Sequence, residues 1–243
     1  MKYTIGCHSI ETDSFYNQRA DGILGIGPVI PAQSSKTNKL RSGFITELYE
    51  NKVISKNMFS ICLSHNGGYM SIGGVNHSYH LENHTNFVDL EYNQHYAIYI
   101  KYIQILQEYI NVSYTWRVVI DTGSTYSYFP NQIYTKISSV LDNYCVNITS
   151  SKTNTSDTND ITNKSNVTTE NKCLFDIYTN ENDLKCYTKS NSTDLEYFYN
   201  LFPNIYFNLD DGVIFTWRPS DYLMKNNKEN KGNYCVGFIN MGL

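Results

Sequence analysis

Short apolar stretches separated by polar turns run along most of this chain. The clearest strand pattern covers residues 97–105, where β-branched and aromatic side chains dominate. A second apolar run, Val118 to Ile120, consists of three β-branched residues and ends at Asp121. Because β-branched residues favour extended backbone, we expect a buried strand at 118–120. The overall pattern predicts a mostly β chain.

Two segments have helical spacing instead. The first covers residues 42–51, with Ser42 as the candidate N-cap and Glu47 as an acidic residue of the first turn. The second covers residues 131–143 and follows Pro130, a residue that often precedes the first helical turn. Its apolar side chains recur at helical intervals, at Ile133, Ile137, Val140 and Leu141.

Polar segments interrupt these elements at 28–39, 147–171 and 226–232. The longest, 147–171, consists almost entirely of Ser, Thr, Asn, Asp and Lys. Such a composition buries too little apolar surface to offset the entropy lost on ordering. We therefore predict a disordered or glycosylated low-complexity insertion at 147–171 and exposed loops at the other two segments.

The composition excludes several classes of function. Charged residues make up 17% of the 243 residues and the net charge is −4, so the chain has no basic surface typical of a nucleic-acid-binding protein. The most apolar segment, 96–106, is interrupted by Lys101 and Gln104 and is too short to span a membrane. A membrane anchor is therefore expected only beyond Leu243. No sequence feature calls for a cofactor.

The strongest candidate chemistry follows the strand at 118–120. Asp121 is succeeded by Thr122, Gly123, Ser124 and Thr125. Gly123 allows a turn tight enough for its own N–H to reach the Asp121 carboxylate, and the hydroxyls beside it can donate hydrogen bonds to that group. The motif therefore predicts a carboxylate held in a fixed orientation at the end of a strand.

Other segments, in the same order along the chain, resemble the pepsin-like aspartic protease family. They are residues 21–27, 44–49, 57–63, 68–75, 128–130 and 202–207. Within the family the chain looks most like the plasmepsin V branch of apicomplexan parasites, through residues 5–8, 16–25, 185–187 and 217–223. Members of that branch are membrane-bound proteases of the endoplasmic reticulum.

The resemblance implies a bilobal, mostly β fold. Residues 1–79 would form the C-terminal half of the first lobe, and residues 80–243 would form most of the second lobe. Asp121 would then be the second-lobe catalytic aspartate, framed by the loop residues 122–125. The implied activity is hydrolysis of polypeptide substrates by a monomeric enzyme that needs no cofactor and no metal.

Such an enzyme uses two carboxylates that share one proton: one activates water, and the other polarises the scissile carbonyl. No second Asp-Thr-Gly or Asp-Ser-Gly occurs in the 243 residues, because Asp13, Asp21 and Asp211 lack the required neighbours. The first catalytic aspartate, the flap and the later hydrophobic-hydrophobic-glycine segment of the family are also missing. We therefore expect the chain to be a fragment that is inactive alone.

Cysteines and glycosylation sequons both indicate the secretory pathway, either the endoplasmic reticulum or the cell exterior. The six widely spaced cysteines are Cys7, Cys62, Cys145, Cys173, Cys186 and Cys235. The resemblance implies a Cys186–Cys235 disulfide, and we expect Cys145–Cys173 to close the polar insertion and Cys7–Cys62 to pair in the first lobe. Sequons begin at Asn76, Asn83, Asn111, Asn147, Asn154, Asn163, Asn166 and Asn191. Residues 1–6 do not form a signal peptide, so we expect the natural N-terminus to lie upstream.

Several alternative interpretations remain open. The chain could be a catalytically inactive, protease-like module that binds peptides or proteins. Two copies could also meet so that two Asp121 residues complete one site, although the missing segment disfavours such a dimer. A metal site at His77, His80 and His84 is disfavoured, because the segment offers no cysteine or carboxylate at ligand spacing. Tyr126, Tyr128 and Phe129 could line a pocket or divide between the two faces of a strand.

Overall fold

The computed structural model describes residue 10 and residues 21–30, 41–64, 67–79, 85–92, 95–112, 116–151, 177–180, 183–190, 193–226 and 232–242. These residues form two compact units, residues 1–98 (the N-terminal unit) and 99–243 (the C-terminal unit). Strands outnumber helices in the described residues, so the mostly β expectation is confirmed. The lobe boundary that the sequence places after residue 79 remains a prediction.

The described residues of the N-terminal unit form three antiparallel strand pairs, one α-helix and one turn of 3₁₀ helix. Its elements are β1 (Val29–Ile30), β2 (Arg41–Ser42), α1 (Phe44–Glu50), β3 (Phe59–Ser64), β4 (Gly67–Ile72) and β5 (Glu91–Tyr92), followed by β6 (Tyr96–Ile105), which continues into the other unit. β1 pairs with β2, and β3 pairs with β4. β5 pairs with the first residues of β6, so that Glu91 lies opposite Ala97.

α1 confirms the helix predicted at 42–51, but its N-cap is Gly43 rather than Ser42. The Gly43 N–H donates to the carbonyl oxygen of Pro28 at 3.1 Å. A Cβ atom at position 43 would collide with the carbonyl oxygen of Gly27. A long-range backbone approach therefore selects glycine here over a residue with a capping side chain. Glu47 lies in the first turn as expected.

The C-terminal unit contains two main sheets. Its remaining elements are β7 (Glu108–Asn111), β8 (Arg117–Val119), β9 (Ser127–Phe129), α2 (Asn131–Ser151), β10 (Ile177–Thr179), β11 (Lys185–Thr188), α3 (Leu195–Tyr199), β12 (Ile205–Leu209), β13 (Ile214–Trp217), α4 (Pro219–Tyr222), β14 (Leu223–Lys225), β15 (Asn233–Val236) and β16 (Phe238–Asn240). One sheet has the order β13-β12-β6, with β7 and β8 also pairing with β6. The other has the order β10-β11-β15-β14.

α2 buries three of the four apolar side chains that were predicted from helical spacing, and the fourth, Val140, is only partly buried. Ile133, Ile137 and Leu141 are at most 3% exposed. The helix continues to Ser151, eight residues beyond the predicted end, and so includes the first residues of the expected insertion at 147–171. Once a helix is nucleated, each further residue adds one backbone hydrogen bond, and polar residues can extend it. The rest of that segment, and most of the loop at 226–232, lie outside the described residues.

Aromatic rings fill the core beside β9. Phe129 packs against Phe207 and Phe238, with ring centroids 6.3 and 5.8 Å away. Trp217 lies 5.8 Å from Phe207 and 5.7 Å from Tyr222. These contacts join β9, β12, β13, α4 and β16, so the strand that leaves the Asp121 turn is fixed to the core.

Candidate active site

The turn that carries Asp121 connects β8 to β9. β8 hydrogen-bonds to β6, which fixes the backbone just before the turn. The expected burial of this strand is wrong, because Val119 is 40% exposed and Ile120 is 52% exposed. Pairing with β6 satisfies the backbone of β8 along one edge without covering the faces of its side chains.

Both oxygens of the Asp121 carboxylate accept hydrogen bonds from the same turn. The Gly123 N–H donates to Oδ1 at 2.8 Å, and the Ser124 hydroxyl donates to Oδ2 at 3.0 Å. The Ser124 N–H also donates to the Asp121 carbonyl oxygen at 3.3 Å, which closes the turn. The bond expected from Gly123 is thus present. Together these donors orient an exposed carboxylate.

The close approach of Gly123 to the carboxylate depends on its lack of a side chain. A Cβ atom at this position would lie 3.1 Å from Oδ1 of Asp121. That separation is shorter than ordinary van der Waals contact, so the carboxylate would have to move. Thr122 and Thr125 lie beside these residues, and both are exposed.

The strand after the turn is fixed by a parallel pairing. The Ser127 N–H donates to the Gly237 carbonyl oxygen at 2.9 Å, and Ser127 lies opposite Phe238 across the pair of β9 and β16. Tyr128 is 51% exposed, whereas Phe129 is 9% exposed. These residues therefore divide between two faces of the strand, and Phe129 belongs to the core.

Tyr126 packs against a small buried cluster that contains a disulfide. Cys186 and Cys235 are bonded and lie opposite each other on β11 and β15, as the resemblance implied. Leu184 completes the cluster, and Tyr126 lies against it. The disulfide thus stabilises the sheet that supports the segment following Asp121. The sequence alone does not indicate this contact, because Tyr126 and Cys186 are far apart along the chain.

The other cysteine pairings remain predictions. In the structure Cys62 is an exposed, free cysteine of β3. Cys7 and Cys173 lie outside the described residues. Cys145 lies in α2, and its expected bond to Cys173 is therefore untested.

Trp217 and Arg218 are neighbours in the segment 217–223, but they play different roles. Trp217 packs into the aromatic core beside Phe207 and Tyr222. Arg218 is exposed, and its backbone N–H donates to Oδ2 of Asp221 at 3.1 Å at the start of α4. The ring contacts of Trp217 on several strands could not be inferred from its neighbours in sequence.

Neither a metal-binding cluster nor a membrane-spanning helix occurs within the described ranges. No group of three or more His, Cys, Asp or Glu side chains there could hold a metal ion. His77 is described, whereas His80 and His84 are not. Across the same described ranges, no helix has both the length and the apolar composition that crossing a membrane requires.

Comparison with known proteins identifies the family. The family model for eukaryotic aspartyl proteases matches residues 3–242. The chain belongs to that family. The pepsin-like resemblance and its fold class are therefore confirmed, and the family's activity is the hydrolysis of polypeptides.

Two individual eukaryotic aspartyl proteases show how similar the chain is to other members of the family. Plasmepsin V of Plasmodium falciparum (isolate 3D7) is 26% identical over 274 aligned residues, which cover 91% of this chain and 45% of that protein. Aspartic protease 5 of Toxoplasma gondii is 36% identical over 70 residues, or 29% of this chain and 7% of that protein. The chain thus spans about half the length of plasmepsin V.

Proposed function

We propose that this chain supplies one of the two catalytic carboxylates of an aspartic endopeptidase, and that Asp121 is that carboxylate. The observation that carries the proposal is the donation of the Gly123 N–H and the Ser124 hydroxyl to the two oxygens of Asp121, at 2.8 and 3.0 Å. A carboxylate that acts on water must be exposed and held in one orientation. Asp121 meets both conditions.

The mechanism requires a second carboxylate close to the first. The pair shares one proton, so that the ionised member takes a proton from a water molecule while the protonated member donates to the scissile carbonyl oxygen. The water then adds to the carbonyl carbon, and no covalent enzyme intermediate forms. In this scheme the Gly123 and Ser124 donors keep the carboxylate of Asp121 directed at the water.

In our proposal, the partner carboxylate belongs to a residue outside these 243. Asp121 lies in the chain's only Asp-Thr-Gly motif, and no Asp-Ser-Gly occurs. Asp211-Gly212 lacks the intervening hydroxyl residue, and Asp211 has a φ of 58° in a short turn after β12. We therefore propose that the 243-residue chain does not hydrolyse peptides by itself.

We also propose that the protein acts in the secretory pathway, in the endoplasmic reticulum or outside the cell. Support comes from the Cys186–Cys235 disulfide, because such bonds persist in oxidising compartments. The eight sequons agree with this location. The substrate is a polypeptide, and the complete enzyme is a monomer in this proposal.

The proposal is tested by incubating the 243-residue chain with a pool of unstructured peptides at acid to neutral pH. We expect no cleavage. Cleavage that disappears in Asp121→Asn would show that the chain completes its own site, as a pair of copies would, and would overturn the proposed need for a second carboxylate from elsewhere.

The single motif also favours a second candidate, a catalytically inactive module that binds peptides. Our proposal implies a longer protein, encoded by the complete gene, that also carries the second carboxylate, and that protein distinguishes the two. An endopeptidase cleaves the peptide pool and loses this activity in Asp121→Asn. An inactive module binds peptides without cleaving them, so that neither the parent protein nor its Asp121→Asn variant shows cleavage.

A further inference from the structure

The loop after β4 presents a sequon in an ordered turn. Asn76, His77 and Ser78 form an Asn-x-Ser sequence without proline, and all three residues are exposed. Residues 77–79 form one turn of 3₁₀ helix. The loop begins at Gly73, whose N–H donates to the Met58 carbonyl oxygen at 2.7 Å. The turn therefore projects from the fixed base of the β3–β4 hairpin.

Ser78 donates twice to the side chain of Asn76. Its N–H lies 3.1 Å from Oδ1 of Asn76, and its hydroxyl lies 2.7 Å from the same atom. Within the described part of the chain, Nδ2 of Asn76 makes no hydrogen bond. The amide oxygen is thus held by the turn, while the amide nitrogen remains accessible.

This arrangement favours reaction at the nitrogen. When a primary amide loses a proton from nitrogen, the negative charge develops mainly on its oxygen. Hydrogen-bond donors aimed at that oxygen stabilise the charge, and Ser78 supplies two of them. In this geometry Ser78 therefore favours loss of a proton from Nδ2, and the deprotonated nitrogen is the nucleophile.

We infer that Asn76 is an N-glycosylation site whose acceptor nitrogen is activated by Ser78. The inference rests on the secretory location in the proposed function. The co-reactant is an oligosaccharide linked to a lipid diphosphate. Nδ2 forms a bond to the anomeric carbon of the first sugar, the bond from that carbon to the diphosphate oxygen breaks, and the lipid diphosphate leaves with the electron pair. The proton lost from Nδ2 passes to a base of the transferase.

The other described sequon asparagines have different backbone conformations. Asn111 lies in β7, in extended backbone opposite Tyr102. Asn147 lies within α2. Within the described residues, Asn76 is thus the sequon asparagine that lies in a turn and accepts hydrogen bonds from the Ser of its own sequon. Asn111 offers a matched control.

The test expresses the 243-residue chain behind a cleavable signal peptide in cells that carry out N-glycosylation. Glycans are removed with an amidase in heavy-oxygen water, which converts each glycosylated asparagine into isotope-labelled aspartate. The positions of the label are then mapped in peptides from both the secreted and the retained protein. We expect label at position 76 in the parent chain, in Asn111→Gln and in Ser78→Thr, which keeps the hydroxyl. Ser78→Ala should lose it.

Unlabelled Asn76 in the parent chain would overturn the inference, whether or not other sequons carry label. Label that persists at position 76 in Ser78→Ala would overturn the role given to the hydroxyl. The assay measures glycan attachment rather than peptide hydrolysis, and the added signal peptide supplies the location. A failure here therefore leaves the proposed function of Asp121 untouched, and a failure of hydrolysis leaves this inference untouched.

Discussion

The backbone N–H of Gly123 donates a 2.8 Å hydrogen bond to Oδ1 of Asp121, two residues earlier in the chain. The contact is local, yet it fixes the orientation of the side chain on which the proposed activity depends. The Ser124 hydroxyl holds the second oxygen at 3.0 Å. Movement of the carboxylate therefore requires the loss of a hydrogen bond within the turn.

Gly123→Ala should impair catalysis without unfolding the chain. The new Cβ atom would lie 3.1 Å from Oδ1 of Asp121 and would displace it. In the longer protein we expect turnover of a peptide substrate to fall, but by less than the roughly 10²-fold of a misplacement of about 1 Å, because Oδ1 has to shift by only a few tenths of an ångström. Unfolding free energy should change by about 0.5 kcal/mol or less, since Gly123 is exposed.

The matched control is Gly22→Ala, because a Cβ atom at position 22 meets no atom within 4 Å. Turnover of this variant should equal that of the parent. Equal turnover in Gly123→Ala and the parent would contradict the role given to the close approach of Gly123.

Much of the C-terminal unit follows from local sequence pattern. The strand β6 and the buried side chains of α2 were predicted from periodicity, because one covered face imposes a regular apolar spacing. The Asp121–Gly123 bond was also predictable, since it spans only two residues. Features set by distant contacts were not predictable. Gly43 caps α1 because of the backbone of Gly27, which no local pattern records.

Side-chain exposure and aromatic ring packing also could not be predicted from the sequence. Val119 and Ile120 form an apolar run typical of a buried strand, yet they are 40% and 52% exposed. Burial depends on which element covers a face, and a strand's own composition does not specify its neighbour. Trp217 belongs to an aromatic core assembled from several elements, which its adjacent residues do not reveal.

Loss of the Cys186–Cys235 disulfide should destabilise the chain. The bond joins residues separated by 49 positions, so its removal should cost about 3–4 kcal/mol through the larger entropy of the unfolded chain. The measurement is urea unfolding of the Cys186→Ala/Cys235→Ala double variant against the parent. The control is Val53→Ala, because Val53 is 56% exposed and lies far from both cysteines in the sequence. Equal stability of the double variant and the parent would contradict this prediction.

Peptide mapping without reduction tests the remaining pairings. We expect a peptide that joins Cys145 to Cys173 and another that joins Cys7 to Cys62. A peptide linking Cys145 to Cys235 would show the scheme to be wrong. Free thiols at both Cys7 and Cys62 would likewise contradict the pairing in the N-terminal region, where the structure has Cys62 free.

Tyr187 should make stability fall at alkaline pH. Burial, followed by the charges of Asp142 and Tyr134, raises the pKa of Tyr187 above its ordinary value. In the unfolded chain the group ionises near pH 10, whereas in the folded chain it stays protonated to higher pH. The folded state therefore loses roughly 1.4 kcal/mol of stability per pH unit above about pH 10 because of this group.

The measurement compares urea unfolding of the parent and Tyr187→Phe between neutral and alkaline pH. The slope of stability against pH above about pH 10 should be shallower in the variant, whatever its stability at neutral pH. Tyr109→Phe is the control, because Tyr109 is 59% exposed. Identical slopes in the parent and Tyr187→Phe would contradict the raised pKa.

The most direct test of the account compares two Asp→Asn substitutions in the protein encoded by the complete gene, with peptide turnover as the measurement. Asp121→Asn keeps the shape of the side chain but removes the proposed catalytic carboxylate. We predict that turnover falls by roughly 10²–10⁴-fold or more and that the free energy of unfolding does not change. Asp211→Asn is the control, since Asp211 precedes a glycine, is exposed and has a φ of 58° that asparagine tolerates. It should retain full turnover. Undiminished hydrolysis by Asp121→Asn, or an equal loss in both variants, would contradict the assignment of Asp121 as a catalytic aspartate.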